Sequence, residues 1–465
     1  MQSSIQQAST ESAADRARFV RDQMPIEGLF AGHDWRVSPA PLRLGANMAK
    51  ELETLGRVFL QFYRAVNLLY RKSIEGKQPE WIARWLDQGK PADLVALQRL
   101  PAFKNEVPRV IRPDLLITEH GLSVTELDSV PGGIGLTAWL NQVYSKPGKS
   151  NGKIPESQQK DPQDQGPSPA VLGGMDGMLR GFASIFADSP VVHIVVSEEA
   201  ATYRPEMSWL ANQLGESRFK THDQTFNKFE EGDAVYRFFE LFDLPNVLSS
   251  ARILEMAAAK QIRLTPPPKP IFEEKMLFAL LWNRNLQAFW RQELGESFLA
   301  RMCKMVPYSW VMDPAPLPPQ GAIPELNLTD WRQLQLLSHK DRELILKISG
   351  FSDHAWGARG VFLGSDLPHA EWAAAIERAI TGFEQSPYVL QRYQKPALVD
   401  AQWFDLARNE VVPVKGRVRL CPYYFVSGEA DAARAQLGGV LATICPADKK
   451  IIHGMSEAIF APCSA

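Results

Sequence analysis

Arg112, Asp114, Glu126 and Asp128 fall within one stretch, VIRPDLLITEHGLSVTELDSVPGGIG, running from Val110 to Gly135. Two strand-like runs flank Glu119-His120-Gly121, which reads as a three-residue turn ending in glycine. With Thr118 opposite Leu122, Asp114 faces Glu126 and Arg112 faces Asp128. Side chains alternate faces along a strand, so this register puts all four on one face. Two carboxylates directly opposed repel each other and weaken a sheet unless something cationic lies between them. Hard oxygen donors of this kind suit Mg²⁺, which completes its octahedron with water and phosphate oxygens. Pro131-Gly132-Gly133-Ile134-Gly135 follows at once, a turn where backbone can approach a ligand closely. The bland alternative is a solvated face carrying an ordinary Arg112–Asp128 surface pair. A slip of one residue would scatter the four side chains over both faces.

A second group lies far downstream. In LILKISGFSDHAWGARGVFLG, a strand Leu344-Ile345-Leu346-Lys347 delivers a lysine, and a loop rich in glycine and small polar residues, Ser349 to Gly360, precedes the strand Val361-Phe362-Leu363. This is not a Walker loop, which needs GxxxxGK[ST] leading into a helix. A strand-loop-strand of this type can instead fold over phosphates, offering backbone N–H groups with the lysine as a point charge. Arg359 adds a second cation, and a surface turn is the competing reading. Lys275, in EEKMLFALLWN, is a further candidate, competing with a solvated lysine at a helix start; Met276, Ala279, Leu280 and Trp282 after it read as core. The strand SPYVLQ, Ser386 to Gln391, follows a helix from about residue 370 to 383 and can line an adenine pocket through its backbone. His453-Gly454 and the strand arginines Arg417 and Arg419 could contact substrate or be a turn and solvated charges.

Several elements must bring these groups together. Apolar residues at Leu52, Leu55, Phe59, Phe62, Val66 and Leu69 have the spacing of an amphipathic helix, and residues 1–100 read as mainly helical. Residues 147–170 lack apolar periodicity and are dominated by Pro, Gly, Ser, Gln and charge, which reads as a linker or surface loop. Beyond it, the β-branched run VVHIVV and Ser197-Glu198-Glu199, a helix cap with acids in the first turn, predict a strand-then-helix unit. Residues 171–270 thus read as a small α/β domain closed by TPPPKP, and residues 271–465 as a second α/β region.

Bulk composition narrows the classes. The 465 residues carry 51 basic and 53 acidic side chains, a net charge of −2. Such a chain has no overall field for nucleic acid or an anionic membrane. Cys303, Cys421, Cys445 and Cys463 form no CxxC pair and read as reduced, mostly buried thiols. The N-terminus lacks the pattern of a secretory signal and the longest apolar run, Met276 to Trp282, is far too short to span a bilayer, so a cytoplasmic protein is expected.

Taken together these residues resemble the ATP-grasp superfamily, specifically its circularly permuted branch related to glutathionylspermidine synthases. The metal-like hairpin precedes the nucleotide lysines, which is the permuted order, and R-x-D, eleven residues, then E-x-D matches that branch's R-x-D and E-x-N spacing. The resemblance implies an α+β fold: a circularly permuted ATP-grasp core with its hairpin at 101–146, a pre-ATP-grasp-like α/β domain, nucleotide-binding lobes at 271–465, and a helical N-terminal region. It implies Mg²⁺ on Asp114, Glu126 and Asp128, transition-state stabilisation by Arg112, and ATP held by Lys275, Lys347, Gly357, Arg359, Gly360 and the hinge residue Gln391. Three departures stand out: Asp128 replaces an asparagine, the phosphate loop is longer and less glycine-rich, and no amidase-like Cys and His segment precedes the hairpin. The implied activity is ATP-dependent ligation of a carboxylate to an amine through an acyl phosphate, on small-molecule or peptide substrates. The alternatives are a catalytically altered ATP-binding protein acting through partners, and an enzyme whose product is the acyl phosphate. Residues 1–100 could supply specificity or a homodimer contact.

Overall fold

The computed structural model describes residues 12–24, 35–146, 170–186, 188–315, 325–355, 359–452 and 457–465. The expected linker therefore lies almost wholly outside the described residues, as do Gly357, His453 and Gly454. Three sheets organise the described chain. The largest has eight strands and joins the early hairpin, Val110–Thr118 and Gly121–Asp128, to the C-terminal strands Glu410–Ser427, Arg434–Pro446 and Ile459–Ser464. A four-stranded antiparallel sheet runs Val361–Leu363, Leu344–Ile348, Tyr388–Arg392, Ser309–Val311. The third sheet is parallel, in the order Phe219–Asp223, Val192–Val196, Ala234–Phe238, Arg263–Thr265.

The longest helix, Ala46–Ile74, carries the predicted apolar stripe, and Leu52, Leu55, Phe59, Phe62, Val66 and Leu69 are all fully buried. It lies on the large sheet, where the Tyr424 hydroxyl donates to Leu52 O at 2.6 Å. Gly56 makes that approach feasible, since a Cβ there would stand 2.6 Å from the Tyr424 ring. The run Val192–Val196 is buried throughout, as expected of a parallel strand covered on both faces.

The helix expected immediately after Ser197 begins later. Ser197 Oγ accepts the Ala200 N–H at 3.3 Å within a turn, a 3-10 segment covers Ala201–Tyr203, and the helix is Arg204–Leu214. Pro205 explains the displacement, because a proline is tolerated only in the first turn, where its missing N–H has no partner to lose. Cys421, Cys445 and Cys463 are buried and Cys303 is partly so. No helix among the described residues is long and apolar enough to cross a membrane.

Candidate functional site

The hairpin pairs Arg112 with Asp128 and Asp114 with Glu126, as expected, but reaches that register by another route. The turn holds two residues, Glu119 and His120, and Gly121 opens the second strand at φ +110°. Thr118 therefore faces Gly121, not Leu122, and an irregularity between Asp114 and Leu115 restores the pairing beyond it. The extra residue is Thr125. A bulge leaves a residue out of the ladder, and here the freed Thr125 carbonyl accepts Lys347 Nζ at 3.0 Å while Thr125 Oγ1 donates to Asp114 O at 3.2 Å.

Every carboxylate on this face is held by a base. Arg112 contacts Asp114 through Nε at 3.0 Å and Asp128 through Nη2 at 2.8 Å, and donates from Nη1 to Gly132 O at 3.1 Å. Arg419 takes the other Asp114 oxygen at 2.9 Å, and the Cys421 thiol reaches Oδ1 at 3.4 Å. Lys275 Nζ pairs with Glu126 at 2.8 Å and donates to Ala355 O at 3.0 Å. Burial pushes the Asp114 carboxyl upward, but Arg112 and Arg419 outweigh it and leave it below its ordinary range. Asp128 is raised, by burial first and then by Glu126 and Asp114, with Arg112 opposing. Among the described residues no group of three or more His, Cys, Asp or Glu stands ready to hold a metal. The donor set is nonetheless three hard carboxylates on one cavity wall, the chemistry a Mg²⁺–phosphate assembly needs.

Lys347 enters from the second sheet and has only neutral partners among the described residues. Its ammonium donates to Thr125 O and to Gln391 Oε1, both at 3.0 Å, and Gln391 Nε2 in turn donates to Ser309 Oγ at 3.0 Å. Gln391 is thus a buried brace for the lysine. Burial, reinforced by Lys275 and opposed by Glu126, lowers the Lys347 ammonium to about 8. Lys275 is no solvated helix-start residue: its side chain is 11% exposed. Its backbone N–H donates to Ser349 O at 2.8 Å, and Ser349 Oγ accepts from Met276 N at 2.9 Å while donating to Glu274. Buried Lys90 neutralises Glu274, so one junction at the end of the Leu344–Ile348 strand fixes both lysines.

Around these groups lies a cavity of about 470 Å³, lined by the acidic face, both lysines, Gln391 and Arg419, and closed on the side of the parallel sheet by Tyr203, Phe238 and Glu240. Gly360 is buried close to the His354 carbonyl, and Arg359 reaches across to Glu199 at 2.5 Å. Arg417 turns away to the carbonyls of Pro396 and Ala447.

Two further residues belong to the site. Glu240, half-buried beside Glu273 and Asp128, has its carboxyl held well above the ordinary range by loss of water around it and by the neighbouring acids. Glu206, in the first turn of Arg204–Leu214, sends its carboxylate to the start of the helix Ile134–Ser145, accepting Gly135 N–H at 2.9 Å. Burial raises it to about 7 although Gly133, Gly135 and Leu136 all donate to it. This fixes the Pro131-Gly132-Gly133 turn, whose Gly132 carbonyl receives both Arg112 and the Tyr423 hydroxyl. The turn needs its glycine: Gly133 stands at φ +87°. Only contacts remote in sequence reveal either acid.

No family model and no curated protein matches the chain. Among solved structures, a glutathione synthetase-like effector from Globodera pallida, in its apo form, aligns over 97% of this chain and 95% of its own with a TM-score of 0.52 and 10% identity. The two share a fold. A putative γ-glutamylcysteine synthetase from Methylobacillus flagellatus aligns over 92% of this chain and 89% of its own at a TM-score of 0.41 and 11% identity, too distant a match to bear on the argument.

Proposed function

We propose that the chain is an ATP-dependent carboxylate–amine ligase working through an acyl phosphate, on a circularly permuted ATP-grasp core. One observation carries the reading: Arg112, Asp114, Glu126 and Asp128 share a single cavity with Lys275 and Lys347, which arrive from a different sheet and its flanking loop. Opposed acids and two ammonium groups facing one space suit a triphosphate and its divalent cation better than an uncharged ligand. The fold shared with a glutathione synthetase-like protein supports the reading from an independent direction.

In this account Lys347 and Lys275 hold phosphate oxygens, and Gln391 keeps Lys347 aimed. Asp114, Glu126 and Asp128 would hold Mg²⁺, which supplies charge neutralisation at the phosphates. A substrate carboxylate oxygen bonds to the γ-phosphorus as its bond to the β-bridging oxygen breaks and ADP leaves. The amine nitrogen then bonds to the acyl carbon, inorganic phosphate departs, and the nitrogen gives up a proton. Arg112, fixed by three partners, faces the developing charge without having to reorganise, the condition under which electrostatic stabilisation is largest. Tyr203 and Phe238 exclude water from that end of the cavity, where hydrolysis would waste the acyl phosphate.

The test is a screen of the purified protein with ATP, Mg²⁺ and pooled acids and amines, followed by mass spectrometry. A condensation product that requires both pools supports the ligase. Nucleotide binding without turnover across all pools would favour a catalytically altered protein acting through partners, and an acid-only phosphorylated product would place the reaction's end at the acyl phosphate.

A further inference from the structure

Lys275 and Lys347 hold adjacent residues of one strand in different ways. Lys347 grips the Thr125 carbonyl, a neutral acceptor, whereas Lys275 is bonded to the Glu126 carboxylate itself at 2.8 Å and to the Ala355 carbonyl at 3.0 Å. Glu126 is the acid that faces Asp114 across the hairpin, and Asp114 is already occupied by Arg112 and Arg419. A divalent cation arriving alone must therefore displace an ammonium ion from Glu126, leaving the Lys275 side chain, only 11% exposed, without a counter-charge, and a buried charge that loses its partner is costly. A polyphosphate removes that obstacle, since it offers Lys275 new oxygens while leaving Glu126 free.

We propose that Lys275 is a lock on Glu126, released when nucleotide phosphate draws the ammonium away, so that the divalent cation binds tightly only after or together with the nucleotide. This rests on the reading of the cavity as a nucleotide site. The lock makes cation and nucleotide binding reciprocal, and it guards the open site against a cation that would bind without a substrate to act on. Lys347, bonded to no acid, has no such role.

The experiment titrates the full chain with Mn²⁺ in the absence of nucleotide, read by electron paramagnetic resonance of the free ion. Lys275→Gln should bind Mn²⁺ about ten-fold more tightly than the unaltered protein, within the usual range of such couplings, while Lys347→Gln, which removes another buried cation of the same cavity, should change it little. Lys275→Met, keeping the apolar stem, serves as the second variant if the glutamine disturbs folding by circular dichroism. Mn²⁺ affinity unchanged in both Lys275 variants overturns the proposal, as does an equal gain in Lys347→Gln, which would make the effect one of general charge. Failure of a non-hydrolysable ATP analogue to bind the unaltered protein overturns the release step and the nucleotide reading together, whereas the metal comparison decides the lock without any turnover.

Discussion

Glu206→Gln should stabilise the protein in alkaline solution, an unusual outcome for altering a buried residue that makes three hydrogen bonds. The Glu206 carboxyl, ordinarily near 4.5, is pushed up to about 7 by burial, against the favourable pull of the N–H groups of Gly133, Gly135 and Leu136. Between those two values the folded protein keeps a proton that the unfolded chain has lost. Stability contributed by this group is therefore complete below pH 4.5 and disappears as pH rises through about 7. Each unit of that interval is worth about 1.4 kcal/mol, so the ionised form weakens the fold by about 3 kcal/mol above neutrality. Glutamine keeps an oxygen for Gly135 but cannot ionise, and its neutral hydrogen bonds are weaker than charge-assisted ones. The net expectation is a gain of about 1–3 kcal/mol at pH 8 and little or none at pH 5, given those opposing terms. Urea unfolding at both pH values, followed by tryptophan fluorescence, measures the difference. A variant less stable than the unaltered protein at pH 8, or a gain of the same size at pH 5, would refute the reasoning.

Two further expectations concern Lys347 and the core. Because burial lowers Lys347 to about 8, nucleotide affinity should fall as pH rises above that value and binding should take up a proton there; calorimetry in buffers of different ionisation enthalpy detects the proton, and Lys347→Met should lose both the uptake and about ten- to a hundred-fold of affinity, the worth of a charged hydrogen bond. Proton uptake persisting in that variant would assign it elsewhere. Gly56→Ala, a change that helix propensity alone would favour by about 1 kcal/mol, should instead destabilise by about 1–3 kcal/mol through overpacking, since its Cβ meets the Tyr424 ring at 2.6 Å; a raised melting temperature would contradict the packing described for that helix.

Local periodicity carried much of the fold. The stripe from Leu52 to Leu69 named a helix and its buried face, and the β-branched run around Ile194 named a covered strand, because both signals reside within one element. The hairpin is more instructive. Its acidic face was legible from parity, yet the assumed turn was a residue too long, and the pairing of Asp114 with Glu126 survives only because the bulge at Thr125 compensates. Ser197 failed as a helix cap because Pro205, a few residues on, sets where the first turn can begin. Glu206, Glu240 and the Arg419–Asp114 pair were not assigned in advance, since each acts through a contact between elements far apart in sequence, such as Gly135 with Glu206. Lys275 read locally as a solvated lysine, and only the junction at Ser349 with Lys90 and Glu274 turns it into the cavity.

The central claim is that the acidic face of the hairpin works on ATP, and Glu126→Ala tests it most directly. The Glu126 side chain is about one-third exposed, at 37%, but its truncation leaves buried Lys275 without that counter-charge, so a modest loss of about 1–3 kcal/mol is expected and the two proteins are compared at a temperature where both are folded. With ATP, Mg²⁺ and the acid and amine identified by the screen, the unaltered protein should release ADP and phosphate in equal amounts, and the variant should do so about a hundred-fold more slowly or worse, the scale of losing a group that organises the transferring phosphates. ADP released by Glu126→Ala at the unaltered rate would contradict the account.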